Sequence, residues 1–261
     1  MSTELGSTTI QAGDAQLNVY DGGQGAAILF LHGNASRWEH WAPQLHALTP
    51  QFRCIAFDFR GYGRSGPLPR SNSLSLMADD AAALCGALGA GPVYVVGLSM
   101  GGAVAQMLAL RHPQLVAGLV AAGPPLIAAP TAQAPTEAPE LTAEMLRGMF
   151  GVAFSPAFAE RNPELVARTV EELLETDIAT IRNFSFEDLP LFDLGQIAAP
   201  ALVIAGELDA LAPPAVVHQI AQMMPTARYL ELPSAGHMMN VEAAEAFTGA
   251  LVDFIREHPA S

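Results

Sequence analysis

The sequence V-Y-V-V-G-L-S-M-G-G occupies residues 93–102 and combines a strand pattern, a tight turn and the start of a helix. The run 93–96 is apolar and mostly β-branched, which is typical of a strand buried on both faces. Residues 100–111 contain no proline and are rich in Ala, Leu and Met, which favours a helix. Between the two lies a G-x-S-x-G pattern, which puts Ser99 at a sharp strand-to-helix turn.

This turn predicts that Ser99 is a nucleophile. The flanking glycines make a strained backbone possible, and such a turn exposes the hydroxyl over the C-terminal edge of the sheet. The N–H of Met100, at the helix N-terminus, would then face a developing oxyanion. The alternative is that Ser99 only caps the helix and that the glycines allow close packing.

The composition indicates a globular protein. Of 261 residues, 51% are hydrophobic and 15% are charged, which excludes a disordered chain or a coiled coil. The formal net charge of −14 would repel nucleic acids and anionic membranes, so we expect neither as a partner. The first residues lack the features of a secretory signal, and Cys54 and Cys85 show no C-x-x-C or metal-binding spacing. We expect a cytoplasmic protein that acts on a small molecule, with no cofactor and no metal.

Apolar runs alternate with helical segments along most of the chain. After a hairpin at 8–12 and 16–20, strands are predicted at 26–31, 53–57, 93–96, 119–122, 201–205 and 228–232. Helices are predicted at 38–48, 75–88, 100–111, 214–224 and 241–257. This alternation predicts an α/β protein with a mostly parallel sheet covered by helices on both faces.

The alternation stops after residue 125, which predicts a core domain at 1–125 and 196–261 and a helical cap, or lid, at 126–195. The cap carries many large apolar side chains: Met145, Met149, Phe150, Phe154, Phe158, Phe184, Phe186 and Phe192. The predicted substrate contacts are Met149, Phe150 and Phe154 of the cap, with Trp38 and Met238 of the core. The alternative is that the cap side chains only attach the cap to the sheet.

A serine nucleophile needs a base and an orienting acid, and these are expected where parallel strands end. His237 follows the run 228–232, and Asp209 follows the run 201–205. We predict that His237 accepts the Ser99 proton and that Asp209 orients the imidazole. Glu207 is the rival acid, but Asp209 lies farther into its loop and is favoured.

The loop after strand 26–31 reads H-G-N-A-S and is expected to supply a second oxyanion donor. Gly33 permits the tight turn, and the backbone N–H of Asn34 would act beside that of Met100. His32 is expected to brace this loop by hydrogen bonding. The glycines of the loop 58–65 match no phosphate-binding spacing, so we expect a structural role for it.

Five spaced motifs resemble the α/β-hydrolase superfamily: L-H-G-N at 31–34, D-F-R-G-Y-G-R-S at 58–65, G-L-S-M-G-G at 97–102, L-V-I-A-G-E-L-D at 202–209 and G-H at 236–237. The resemblance implies an eight-stranded sheet with a cap and a triad of Ser99, His237 and Asp209. Within the superfamily the chain is similar to 3-oxoadipate enol-lactonase-like hydrolases and to the small aryl esterases called non-haem haloperoxidases. The H-G-N loop also resembles haloalkane dehalogenases, but those need an aspartate where this chain has Ser99.

Three functions are compatible with these residues. The first is hydrolysis of a small, largely apolar ester or lactone through an acyl-enzyme on Ser99. The second is hydrolysis of a C–C bond in a vinylogous diketone by the same triad. The third is a ligand receptor that keeps the triad and turns over slowly. The sequence leaves the oligomeric state open.

Overall fold

The computed structural model describes residues 5–67, 72–126, 142–183 and 193–260. Within these ranges the strands form one eight-stranded sheet. They are β1 (Thr8–Ala12), β2 (Ala15–Gly22), β3 (Ala27–Leu31), β4 (Arg53–Phe57), β5 (Val93–Leu98), β6 (Val116–Ala122), β7 (Ala201–Gly206) and β8 (Ala227–Leu232).

The strand order across the sheet is β1-β2-β4-β3-β5-β6-β7-β8. Strand β2 runs antiparallel to β1 and to β4, whereas the pairs from β4 through β8 are parallel. The carboxyl ends of the parallel strands therefore meet along one edge of the sheet. The prediction of a mostly parallel, eight-stranded sheet is confirmed.

Helices cover both faces of this sheet. They are α1 (Ala42–Leu48), α2 (Leu74–Ala87), α3 (Met100–Arg111), α4 (Ala143–Gly151), α5 (Pro156–Arg161), α6 (Pro163–Leu174), α7 (Ile178–Arg182), α8 (Pro214–Met223), α9 (Met239–Glu242) and α10 (Ala244–Glu257). Side chains of β3 alternate between the two faces. Leu29 packs in a core cluster with α2, α3 and α8, and Phe30 packs in a second cluster with α1 and α10.

Two predicted helices are interrupted in the structure. The segment predicted at 38–48 starts as a 3₁₀ turn, because Pro43 has no N–H for the carbonyl of Glu39, which accepts from Ala42 instead. The segment predicted at 241–257 begins earlier and divides into α9 and α10. Gln44 Nε2 donates to the Asn240 carbonyl at 2.8 Å, the acceptor that residue 244 would use in a continuous helix.

Helices α4 to α7 lie in the insertion between β6 and β7. Its buried residues Leu146, Phe150 and Leu173 pack in a small cluster that also contains Ala35, from the loop after β3. Phe184, Phe186 and Phe192, predicted as lid residues, lie outside the described residues. The division of the chain into a core and a separate cap stays a prediction.

The loop 58–65 is organised around the buried carboxylate of Asp58. Asp58 accepts hydrogen bonds from the backbone N–H groups of Trp38 and Arg64, both at 2.9 Å, and from Asn18 Nδ2 at 2.8 Å. A Cβ at Gly63, where φ is +51°, would overlap the same carboxylate. The donors compensate the buried charge and join β2, β4 and the 3₁₀ turn. These contacts support the structural role predicted for this loop.

The crossing of α3 over the ends of β3 and β5 depends on two glycines. A Cβ at Gly97 would overlap the Gly101 carbonyl, and a Cβ at Gly101 would overlap the Leu31 carbonyl. Neither obstacle is the end of a flexible side chain, so relief would require the backbone to move. These contacts bring the N-terminus of α3 against the end of β3.

His32 braces the loop that follows β3, as predicted. Its Nε2 accepts from the Phe59 N–H at 3.0 Å, so its Nδ1 carries the proton donated to the Gly33 carbonyl at 2.7 Å. Burial lowers the pKa of this imidazole to about 4, although the negative charge of Asp58 opposes the change. The ring is therefore neutral near pH 7.

We expect Gly101→Ala to lower the free energy of unfolding by about 3 kcal/mol, because the added methyl group overpacks a rigid backbone contact. Gly249→Ala on α10 is the matched control, since a Cβ there meets nothing within 4 Å. This control should raise stability by about 0.5–1 kcal/mol. Urea denaturation of both variants measures the difference, and equal effects would contradict the close contact.

We expect the free energy of unfolding to fall as the pH drops from about 6.5 to about 4. In that window the unfolded chain, with an ordinary histidine pKa of 6.5, binds a proton that the buried His32 does not. His32 thereby contributes about 3 kcal/mol to the free energy of unfolding above pH 6.5, and this contribution is lost as the pH falls to about 4. In His32→Asn, unfolding should take up about one proton fewer than in wild type, so the free energy of unfolding should depend less steeply on pH. Denaturation at pH 4.5, 5.5 and 6.5 measures this slope. Identical slopes would show that His32 titrates normally.

Candidate active site

Ser99 lies between β5 and α3 in a backbone conformation that is rare for a residue with a side chain, with φ 55° and ψ −121°. Its N–H donates to the Ala122 carbonyl and its carbonyl accepts from the Gly102 N–H, both at 2.8 Å. These bonds hold the turn in place at the carboxyl end of β5. The Ser99 hydroxyl makes no capping bond to α3, so the geometry does not support the helix-cap alternative.

Asp209 and His237 meet at the same edge of the sheet. Asp209 follows β7, His237 follows β8, and Asp209 Oδ2 lies 2.8 Å from His237 Nδ1. Asp209 Oδ1 accepts from the N–H groups of Leu211 and Ala212 at 2.9 and 2.8 Å. The Asp209 side chain is fully buried, and these backbone donors fix its orientation. When Nδ1 donates to Asp209, Nε2 is left as the basic nitrogen.

Glu207, the rival acid, has a different contact. It is exposed, and its Oε2 accepts from the Ser234 N–H at 2.7 Å. The carboxylate therefore ties the loop after β7 to the loop after β8 without contacting the imidazole.

Ser99 and His237 line one cavity of about 300 Å³. Its other walls are Gly33, Asn34, Ser36, Leu98, Gly123, Pro125, Met149, Phe150, Ala153, Leu173, Leu211, Ala212 and Met238. Among the described residues, no hydrogen bond joins the Ser99 hydroxyl to His237, although both residues line this cavity.

The loop after β3 borders Ser99. A Cβ at Gly33 would lie 3.5 Å from the Ser99 Cβ, and the next residue, Asn34, lines the cavity. Asn34 Oδ1 accepts from the Ala35 N–H at 2.9 Å and from the Tyr62 hydroxyl at 2.8 Å. Because a backbone N–H can only donate, these contacts fix the orientation of the Asn34 amide.

Met100 is the first residue of α3. Its N–H belongs to the first turn, where backbone N–H groups have no acceptor within the helix. Asn34 and Ser99, the residue that precedes α3, thus line the same cavity, whereas Met100 is not among the residues that form its walls.

Of the predicted substrate contacts, the structure brings Met149, Phe150 and Met238 to the cavity wall. It does not bring Trp38 or Phe154 there. Trp38 stacks on Tyr20 with ring centroids 5.5 Å apart, and Phe154 stacks on Phe158 at 5.8 Å. Both rings are buried in the core, where each packs against its aromatic neighbour and not against the cavity.

Sequence reasoning missed several apolar wall residues. Leu173 comes from α6, and Leu211 follows Asp209 in the same loop. Leu211 could have been found, since Asp209, two residues before it, was already a candidate site residue. Leu173 carried no local signal, because only the packing of α6 brings it to the cavity.

The described residues contain no group of three or more His, Cys, Asp or Glu side chains that could hold a metal ion. Cys54 and Cys85 are free and buried, and burial raises the pKa of their thiols to about 11 and 12. No helix in the described part of the chain has the length and apolar character needed to cross a bilayer.

Known proteins with similar sequences and structures include several that are named as hydrolases, esterases or lactonases. A hydrolase of Paraburkholderia xenovorans, the 2-hydroxy-6-oxononadienedioate/2-hydroxy-6-oxononatrienedioate hydrolase, is 32% identical in an alignment that covers 93% of this chain and 91% of that protein. The enol-lactonase from Burkholderia xenovorans LB400 has a TM-score of 0.82 at 26% identity and covers 95% of this chain and 100% of its own. A thermophilic esterase from Thermogutta terrifontis has a TM-score of 0.80 at 26% identity, with coverage of 97% and 99%.

A family model described as the alpha/beta hydrolase family matches residues 28–250, a range that includes all five motifs noted in the sequence. The predicted resemblance is confirmed, and the chain belongs to the alpha/beta hydrolase family of enzymes.

Proposed function

We propose that this enzyme hydrolyses a small, largely apolar carboxylic ester or lactone through an acyl-enzyme on Ser99. The observation that carries the proposal is the His237 imidazole, which is bound at Nδ1 to the buried Asp209 carboxylate and lines the same cavity as Ser99. A histidine oriented in this way can accept a proton at Nε2 and return it to a leaving group.

In the first half of the reaction, Ser99 Oγ attacks the carbonyl carbon and its proton passes to His237 Nε2. The carbonyl oxygen becomes an oxyanion that accepts hydrogen bonds from the N–H groups of Asn34 and Met100. Collapse of this intermediate breaks the bond to the alkoxide. His237 protonates that alkoxide, which leaves as an alcohol or, from a lactone, as the free end of the opened ring.

In the second half, His237 takes a proton from water, and the hydroxide attacks the acyl carbon of the acyl-enzyme. The bond to Ser99 Oγ breaks and the serine regains its proton from His237, which releases the carboxylic acid. Asp209 holds the imidazole in the productive tautomer and stabilises the imidazolium in both halves.

An apolar substrate is favoured by the walls of the cavity. Phe150, Leu173 and Met238 are buried apolar residues, whereas Met149 and Leu211 are 40% and 37% exposed beside them. Exposed apolar side chains next to a cavity are typical of a binding site for an apolar ligand. The names of the similar esterase and enol-lactonase support the same class of bond.

Hydrolysis of a C–C bond is the second candidate, favoured by the name of the relative from Paraburkholderia xenovorans. The substrate in that name is a dianion. The chain contains no lysine, and the cavity walls among the described residues contain no arginine. A dianion would therefore have no cationic partner on the described walls of this site, so the uncharged ester or lactone remains the first choice.

We expect Ser99→Ala to lower kcat roughly 10⁴- to 10⁶-fold on p-nitrophenyl esters, because the variant has no hydroxyl at the strained turn to attack the carbonyl carbon. An alkyl phosphonate should label the wild-type protein at Ser99 and leave the variant unlabelled, as measured by mass spectrometry. Activity within tenfold of wild type would contradict the assignment. Turnover of a ring-fission diketone without turnover of any ester would support the second candidate.

We expect Asp209→Asn to lower kcat by about 10³- to 10⁴-fold, because an asparagine at this position no longer selects the imidazole tautomer with a basic Nε2. Glu207→Gln is the matched variant of the rival acid. Its amide oxygen can still accept from Ser234, so kcat should stay within about threefold of wild type. Steady-state kinetics on one ester measures both, and the reverse ranking would make Glu207 the catalytic acid.

A further inference from the structure

The carboxylate of Glu242 lies between the catalytic histidine loop and the insertion. Its Oε1 accepts from the Gly236 N–H at 3.0 Å, and its Oε2 accepts from the Ser155 N–H at 2.9 Å. Gly236 directly precedes His237, and Ser155 directly precedes α5. One side chain therefore connects a backbone group beside the histidine to a backbone group of the insertion.

We propose that Glu242 is a positioning residue that holds His237 in register with Ser99 by clamping its loop to the insertion. The inference rests on the proposed function, since it assigns a role to a residue that touches neither substrate nor the reacting atoms. It makes the insertion part of the machinery that orients the base.

The other neighbour of His237 is bonded to the same part of the insertion. The Met238 N–H donates to the Ala153 carbonyl at 3.0 Å. The residues before and after the catalytic histidine are thus both held, one through Glu242 and one directly. These bonds restrain the backbone on both sides of His237, so the position of its imidazole depends on the contacts with the insertion.

Close approach at Gly236 shows how tightly the parts fit. A Cβ on Gly236 would lie 2.6 Å from the Ser155 nitrogen and 2.7 Å from Glu242 Oε1, distances that a real side chain does not allow. The loop, the carboxylate and the insertion are in direct contact, with no space for a side chain between them.

A carboxylate suits this position because it offers acceptor oxygens on both sides. A glutamine has the same shape but presents an NH₂ group to one of the two N–H donors, which leaves that donor unpaired. Glu242 is also the last residue of α9, and its own N–H donates to the Met238 carbonyl at 2.9 Å. Glu242 therefore bonds to Gly236 through its side chain and to Met238 through its backbone, and these bonds stabilise the segment 236–242 around His237.

Two variants and one control test the proposal on the full chain. Glu242→Gln breaks one of the two carboxylate contacts. Glu242→Asp keeps the negative charge but is one methylene shorter, so its carboxylate cannot reach both N–H groups. Glu245→Gln, in the first turn of α10, is the control, because Glu245 is exposed and has no hydrogen bond or ion pair among the described residues.

We expect both test variants to lower kcat on an ester about tenfold to a hundredfold while KM stays within about twofold, because a small displacement of the base acts on the chemical step. The acidic limb of the pH profile of kcat/KM should move to lower pH, since the imidazolium loses part of its contact with Asp209. Glu245→Gln should change neither quantity. Thermal unfolding and phosphonate titration report the folded, active fraction.

A purely structural role of Glu242 predicts a lower active fraction, with an unchanged kcat per titrated site and an unchanged pH profile. An unchanged kcat per titrated site in both test variants, or an unchanged pH profile in both, would overturn the proposal. A nuclear magnetic resonance titration of the His237 Cε1 proton provides a readout that needs no turnover. If wild type hydrolyses no ester, the proposed function fails, whereas the midpoint of this titration still tests the clamp. A midpoint that is lowered in Glu242→Asp, which keeps the charge, supports the clamp. A midpoint that is unchanged in Glu242→Asp overturns it, even if Glu242→Gln lowers the midpoint through its lost charge.

Discussion

Backbone packed against backbone at Gly97 and Gly101 is the constraint on which the site depends. Any side chain at these positions would overlap a neighbouring carbonyl, so α3 can start directly over the ends of β3 and β5 only with glycine there. The turn that results leaves Ser99 with a φ of 55° and carries it to the carboxyl edge of the sheet. Strain of this kind persists where the surrounding structure holds it, here through the bonds of Ser99 to Ala122 and Gly102.

The remaining groups reach Ser99 through contacts between segments that are distant in sequence. Neutral His32 joins the loop after β3 to the loop after β4, and Asp58 joins the second of these loops to β2. Asp209 is held by backbone donors in its own loop and in turn holds His237. Each of these polar side chains is buried and paired, as buried charge and polarity require in a low-dielectric interior.

The insertion between β6 and β7 contacts both sides of the cavity. Thr176 Oγ1 donates to the Ala35 carbonyl at 2.9 Å, beside Asn34, and the Ser155 N–H donates to Glu242 near His237. Helix α4 adds Met149 and Phe150 to the cavity wall. A displacement of the insertion would therefore change the shape of the cavity together with the support of the loops on either side. The cavity and the loops that surround it are therefore held by the same contacts.

The sequence by itself determined the alternation of strands and helices, the parallel sheet, the turn at Ser99 and the strand ends that carry Asp209 and His237. These features follow from local periodicity and from the steric needs of glycine, which act over a few residues. Only the tertiary structure decided that Asp209 rather than Glu207 faces the imidazole, and that Leu173 lines the cavity while Trp38 and Phe154 lie in the core. Those outcomes depend on packing between segments far apart in the chain, and no pattern within one segment encodes which partner fills the space beside it.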